Sequence, residues 1–133
     1  MSTVSGRLAE LGLELPPVVP PVASYVPAVR TGDLVFTSGQ LPMVDGQLPA
    51  MGKVGALVTP EQAHDLARTC ALNALAAIDA LVGLDAVVQV VKLVGFVASA
   101  AEFTGQPDAG YKTGPGVLVN RLYIPRNKVG GRV

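Results

Sequence analysis

The chain has 133 residues and a mass of 13.6 kDa, with 50% hydrophobic, 15% charged and 5% aromatic residues. That length suits one domain able to bury roughly two-thirds of its unfolded surface. Ten Lys and Arg balance ten Asp and Glu, and the pI is near 6.5, which speaks against a basic nucleic-acid binder and an acidic disordered tail. The longest unbroken apolar runs are five or six residues, too short to span a bilayer. The first ten residues lack the charged-then-apolar order of a signal peptide. One cysteine, Cys70, excludes an intrachain disulfide and a multi-cysteine metal site. These features point to a soluble, cytoplasmic, single-domain protein with no membrane partner. The charge balance conceals an asymmetry: residues 1–106 carry five basic and nine acidic groups, whereas 107–133 carry five basic groups and only Asp108.

Along the chain, residues 1–15 are mixed, with Leu8, Leu11, Leu13 and Leu15 available for packing. Pro16-Pro17-Val18-Val19-Pro20-Pro21 follows, and its four missing amide donors exclude an interior helix or a central strand. Residues 1–22 are therefore read as an extended lead-in. Residues 25–30 predict a strand, with Pro27 placing it at an edge or a bulge. Thr31-Gly32-Asp33 is a turn signal, residues 34–38 the second arm of a hairpin, and Asp45-Gly46 a further tight turn.

Thr59-Pro60-Glu61-Gln62 combines an N-cap, a first-turn proline and a glutamine placed to close a capping box. Apolar residues then recur at 63, 66, 67, 70, 71, 74, 77, 78 and 81, one face of a 3.6-residue repeat about 140° wide. Gly83 is the expected stop. Residues 87–98 hold ten apolar or glycine residues out of twelve, which predicts a buried central strand. Four glycines and two prolines in residues 101–116 leave no room for a second full helix. Residues 117–119 and 122–124 are short strand candidates on either side of Asn120-Arg121.

Candidate chemical residues are few. His64, the sole histidine, lies on the polar helix face and reads as a surface residue, and a histidine-rich metal site is excluded. Cys70 falls within the apolar stripe, as a small core residue would. Neither glycine-rich nucleotide pattern is present around Gly32, Gly39, Gly46 or Lys53. Ser38-Gly39-Gln40-Leu41-Pro42 is more suggestive. A strand ending in Ser-Gly sets a hydroxyl and backbone N–H groups at a rim, where a carboxylate or carbonyl oxygen could be held; the alternative is a plain strand end.

The stretch "AVRTGDLVFTSGQLP", followed by "NALAAIDALVGLDAVVQVVKLVGFVAS", resembles the RidA/YjgF family, whose older label is endoribonuclease L-PSP or translation inhibitor. The likeness covers residues 20–104, and the opening residues resemble a longer bacterial subgroup. The resemblance implies an α+β fold of chorismate-mutase type, a single sheet backed by helices. It also implies a homotrimer with small-carboxylate or imine ligands at subunit interfaces. The implied activity is hydrolysis of reactive enamines and imines to 2-oxo acids and ammonia, with no metal and no organic cofactor. In that scheme an arginine grips the substrate carboxylate bidentately, a carboxylate positions water, and a tyrosine closes the pocket. Tyr25 matches the tyrosine and Ser38, beside Gly39, the serine at the pocket rim.

The C-terminal part departs from the family pattern. The family's second helix has no counterpart, and Lys112-Thr113 fall where an Arg-Ser dipeptide is expected. Lysine is a point charge and does not reproduce the guanidinium fork; Arg121 is the other candidate for the arginine role. No Asp or Glu follows Asp108, so the water-positioning carboxylate lacks an equivalent. Divergence, a truncated or frame-altered end, or an incompletely read chain would each produce this composition; a defect fits better than design, because losing a helix would bare a sheet face. Three functions follow: an imine deaminase, a non-catalytic trimeric binder of small carboxylates, and an endoribonuclease. The last is implied by the family label alone, since a neutral chain offers RNA little purchase.

Overall fold

The computed structural model describes residues 3–21 and 23–106, together with the backbone of 117–123. Its elements are helix α1 (Val4–Glu10), strands β1 (Ala28–Thr31) and β2 (Leu34–Thr37), helix α2 (Pro60–Val82), a 3-10 turn (Leu84–Ala86), and strands β3 (Gln89–Gly95) and β4 (Val117–Tyr123). The strands form one antiparallel sheet in the order β1-β2-β4-β3.

The hairpin forms as its turn chemistry demands. Gly32, at φ 59, occupies the first central position between Thr31 and Leu34, a conformation that a Cβ would disfavour. The Arg30 guanidinium donates from Nε to the Gly32 carbonyl at 2.9 Å and braces the turn. Pairing of Arg30 with Val35 and of Ala28 with Thr37 puts these four residues on one face, where Val35 and Thr37 are buried. The strand begins at Ala28 rather than 25, because Pro27 has no N–H to contribute to the ladder. As expected of a strand preceded by proline, β1 lies at the sheet edge.

The long helix matches the sequence closely at its ends. Thr59 Oγ1 accepts from Gln62 N at 3.1 Å while Gln62 Oε1 accepts from Thr59 N at 2.9 Å, a closed capping box. Gly83 ends the helix at φ 79. Ala63, Ala67, Cys70, Ala74, Ala77 and Ile78 are buried as the periodicity required. Their small side chains let the helix axis approach the sheet closely. The core has two parts along this helix. Cys70, Ala74 and Ile78 meet Val35, Leu84 and Ala86, with Leu8 and Leu15 packed alongside; nearer the N-terminus, Ala63 meets Val54 and Val58, with Leu66 and Phe103.

Five expectations need correction. The lead-in is extended only after α1: Thr3 caps a seven-residue helix by accepting from Gly6 N. Leu81, expected on the buried face of α2, is 44% exposed. His64 is half-buried rather than fully exposed. β3 is an edge strand instead of a buried central one, and Val90, Val91 and Leu93 are about half exposed. An apolar run reports that a strand wants cover, not that its own chain supplies it. Finally, the two short C-terminal strands are one continuous β4 running through Asn120-Arg121 and paired on both sides. The helix-poor segment expected at 101–116 lies largely outside the described residues. No helix among the described residues is long and apolar enough to cross a membrane.

Candidate functional site

The sheet's first hairpin delivers the rim. β2 ends at Thr37, and the chain continues as Ser38-Gly39-Gln40 without regular structure. Tyr25, just before β1, comes against this segment. Together with Val19, Pro20, Leu41 and Met43, residues Tyr25, Ser38, Gly39 and Gln40 line a small nook. Two of the sequence-derived substrate residues, Ser38 and Gly39, thus lie beside the proposed catalytic Tyr25. The proline-rich lead-in acquires a role that its composition did not disclose, since Val19 and Pro20 form one wall.

The chemistry of the rim differs from the sequence reading in one respect. Ser38 donates twice to the Pro27 carbonyl, from its backbone N at 3.0 Å and from Oγ at 3.2 Å. Its hydroxyl proton is therefore committed, and the oxygen lone pairs are what it can offer a ligand. Such an oxygen suits the N–H of an iminium or amide better than a carboxylate. The described side chains around the nook are all uncharged, so a carboxylate would need a cation from beyond them. The nook encloses about 20 Å³, space for about one water molecule. On its own it holds no substrate.

Arg121 belongs to β4, one residue before Leu122, which pairs with Val35 of β2. On the other side Arg121 pairs with Lys92 of β3. The backbone register therefore sets Arg121 beside the part of β2 that leads to Ser38. Only the backbone of β4 is described, and Lys112 lies outside the described residues. Among the described residues, no cluster of three or more His, Cys, Asp or Glu could hold a metal.

One residue that the sequence reading passed over stands behind the rim. Asn73 is 1% exposed, and its Nδ2 donates to the carbonyls of Leu41 and Met43, each at 3.1 Å. The signal was available: an amide sits three residues after Cys70 and four before Ala77, on the core-facing stripe. Polar residues there need a partner. Beyond Asn73 a longer open groove runs behind the lead-in, sharing Val19, Pro20 and Met43 with the nook.

Comparison with known proteins places this architecture. The family model described as "YjgF/chorismate_mutase-like, putative endoribonuclease" matches residues 5–118. Protein TCP17 of Trypanosoma cruzi is 39% identical over 104 residues, 77% of this chain. The match spans 65% of that curated relative's length. Among solved structures, the Agrobacterium tumefaciens protein Atu1372, described as of unknown function, superposes with a TM-score of 0.77 at 31% identity, covering 90% of this chain and 91% of its own. A Shewanella oneidensis protein described as a putative endoribonuclease gives a TM-score of 0.78 at 31% identity, covering 84% of this chain and 74% of its own. The hairpin, the capped helix and the Ser38-Gly39 rim all fall inside the matched residues, and the chain belongs to the YjgF/chorismate-mutase-like family.

Proposed function

We propose that the chain is built to hydrolyse reactive enamines and imines to 2-oxo acids and ammonia at a site centred on Tyr25, Ser38 and Gly39. The observation that carries this reading is the meeting of those three residues in one nook, in a chain of this family. Water adds to the electrophilic iminium carbon, the C–N bond then breaks, and nitrogen leaves as ammonia while the carbon becomes a carbonyl. Ser38, with its proton held by Pro27, accepts from the substrate N–H. Tyr25 closes the pocket, and Arg121, with Lys112 as the alternative, neutralises the substrate carboxylate. Arginine is the better match, because its planar fork binds both oxygens.

A nook with room for one water requires a second surface to complete it. We assign that surface to another copy of the chain, in a homotrimer whose sites lie between subunits. The test is ammonia release from freshly generated 2-iminobutanoate. Acceleration above buffer, abolished by Tyr25→Ala and by Arg121→Ala, supports the reading; no acceleration at high protein concentration overturns it.

The sequence itself motivates a second reading. Residues 109–133 contain no Asp or Glu, and a site without a water-positioning carboxylate would bind small carboxylates without activating water. Calorimetric heat with 2-oxobutanoate, pyruvate or benzoate, in a protein inert toward the imine, selects this alternative. RNA cleavage, the activity in the family description, would instead require nuclease activity that survives repurification and disappears in a site variant.

A further inference from the structure

We infer that Asn73 is a positioning residue for the site, holding the 39–43 segment at the height the ligand needs. This rests on the Tyr25–Ser38–Gly39 reading above and goes beyond it, because Asn73 is on the opposite side of the rim and touches no ligand. Among the described residues, the segment after Ser38 has few bonds to fix it. Its local bond is Met43 N to Leu41 O at 2.8 Å, a tight turn centred on Pro42 whose ring-fixed φ suits that geometry. This turn shapes the segment but ties it to nothing.

Asn73 supplies the tie. Its Nδ2 has two protons, and each goes to one carbonyl on either side of Pro42, at Leu41 and Met43. Met43 and Leu41 both line the nook, so the amide sets the position of one wall from behind. The remaining atom, Asn73 Oδ1, is buried and finds no partner among the described residues. A buried unsatisfied acceptor is costly. Leu41 O already accepts from Met43 N, so its satisfaction does not require Asn73. An amide held in an alanine-rich stripe with one end unsatisfied fits loop placement better than helix or core stability. The two carbonyls also fix the orientation of the amide, since the flipped form would set oxygen against oxygen.

Asn73→Leu separates position from stability. It keeps the number of side-chain heavy atoms in an apolar setting and removes the orphaned acceptor along with the two donors. Asn73→Asp, of the same shape but with at most one donor for the two carbonyls, serves if the leucine variant fails to fold. Ile78→Val, deeper on the same helix and not in contact with the rim, is the control for a general loss of stability. Expected for Asn73→Leu are a melting temperature near wild type, amide exchange at Met43 and Val44 faster by about tenfold, and KM for 2-iminobutanoate raised by about tenfold with kcat within about twofold. The control leaves exchange in this segment and KM unchanged. Exchange at Met43 and Val44 equal to wild type, or accelerated equally in Ile78→Val, overturns the inference. If the wild-type chain turns over no imine, the deaminase reading falls, and the exchange comparison alone decides for or against Asn73.

Discussion

At the scale of single residues, one polar contact links residues 80 positions apart and carries a pH dependence. Ser5 donates to Asp85 twice, from its backbone N to Oδ1 at 2.7 Å and from its hydroxyl to Oδ2 at 2.6 Å. The backbone donor is one of those that the first turn of α1 leaves unpaired, so Asp85 both caps α1 and docks it on the 3-10 turn. The Ser5 hydroxyl first, then its backbone N–H, holds the Asp85 carboxyl below its ordinary value. A depressed folded pKa contributes stability that is fully present above the unfolded value of about 3.9 and lost as pH falls through the folded one. The stability difference between wild type and Asp85→Asn should therefore be constant above about pH 5 and shrink steadily below about pH 4. Thermal melts of both proteins across that range measure it, and a difference that grows on acidification would contradict the linkage. No local pattern in the sequence discloses this pair. Its partners are 80 residues apart, and a serine beside a glycine in a leucine-containing segment resembles any helix start.

At the scale of elements, α2 is where local chemistry and the fold agree most fully. Cap, first-turn proline, alanine-rich stripe and terminal glycine are all sequence-local signals, and each is realised. Thr59→Ala opens one side of the capping box and should cost about 1 kcal/mol; urea unfolding with an unchanged m-value would register it as a lower midpoint. Ala74→Leu tests the other property of the helix, its close approach to β2. Ala74 is fully buried, so added methylenes must push against Val35 or Cys70, costing about 1–3 kcal/mol. A neutral result would mean that the helix is free to move outward. The elements misread from sequence are those whose state depends on distant partners. Helix α1 is too short to be stable alone and depends on Thr3, Asp85 and the packing of Leu8. Asn73 stands out in the sequence as an amide on the apolar stripe, but which carbonyls it would meet, Leu41 and Met43, depends on a segment some 30 residues away. Of the candidate site, Tyr25 and the role of Ser38 entered through the family resemblance alone; their meeting with Gly39 in one nook follows from a hairpin that brings its flanks together. The walls made by Val19 and Pro20 were not legible, since an extended segment can lie anywhere.

At the scale of the whole molecule, two observations in different parts of the sheet point toward association with a further chain. Val90, Val91 and Leu93 of β3 are about half exposed, although they belong to the most apolar stretch of the chain. The Tyr25 nook, meanwhile, encloses room for one water and carries no charge on its described walls. Exposed β-branched residues on an edge strand favour further association, and a nook with room for one water leaves a place for a second surface. If both needs are met by subunit contact, assembly and activity must fail together. Light scattering of the wild-type protein should then give a mass three times that of the 13.6 kDa chain. Leu93→Lys, which places a charge on β3 beside Val119 of β4, should shift that mass toward a single chain and reduce imine hydrolysis at least about tenfold, since burying an unpaired charge in an interface costs several kcal/mol. The variant's far-UV spectrum should remain that of the wild type, because Leu93 is 53% exposed in the single chain and contributes little to its core. A monomer that retains full activity would separate the two properties, and the site would then have to be completed within one chain.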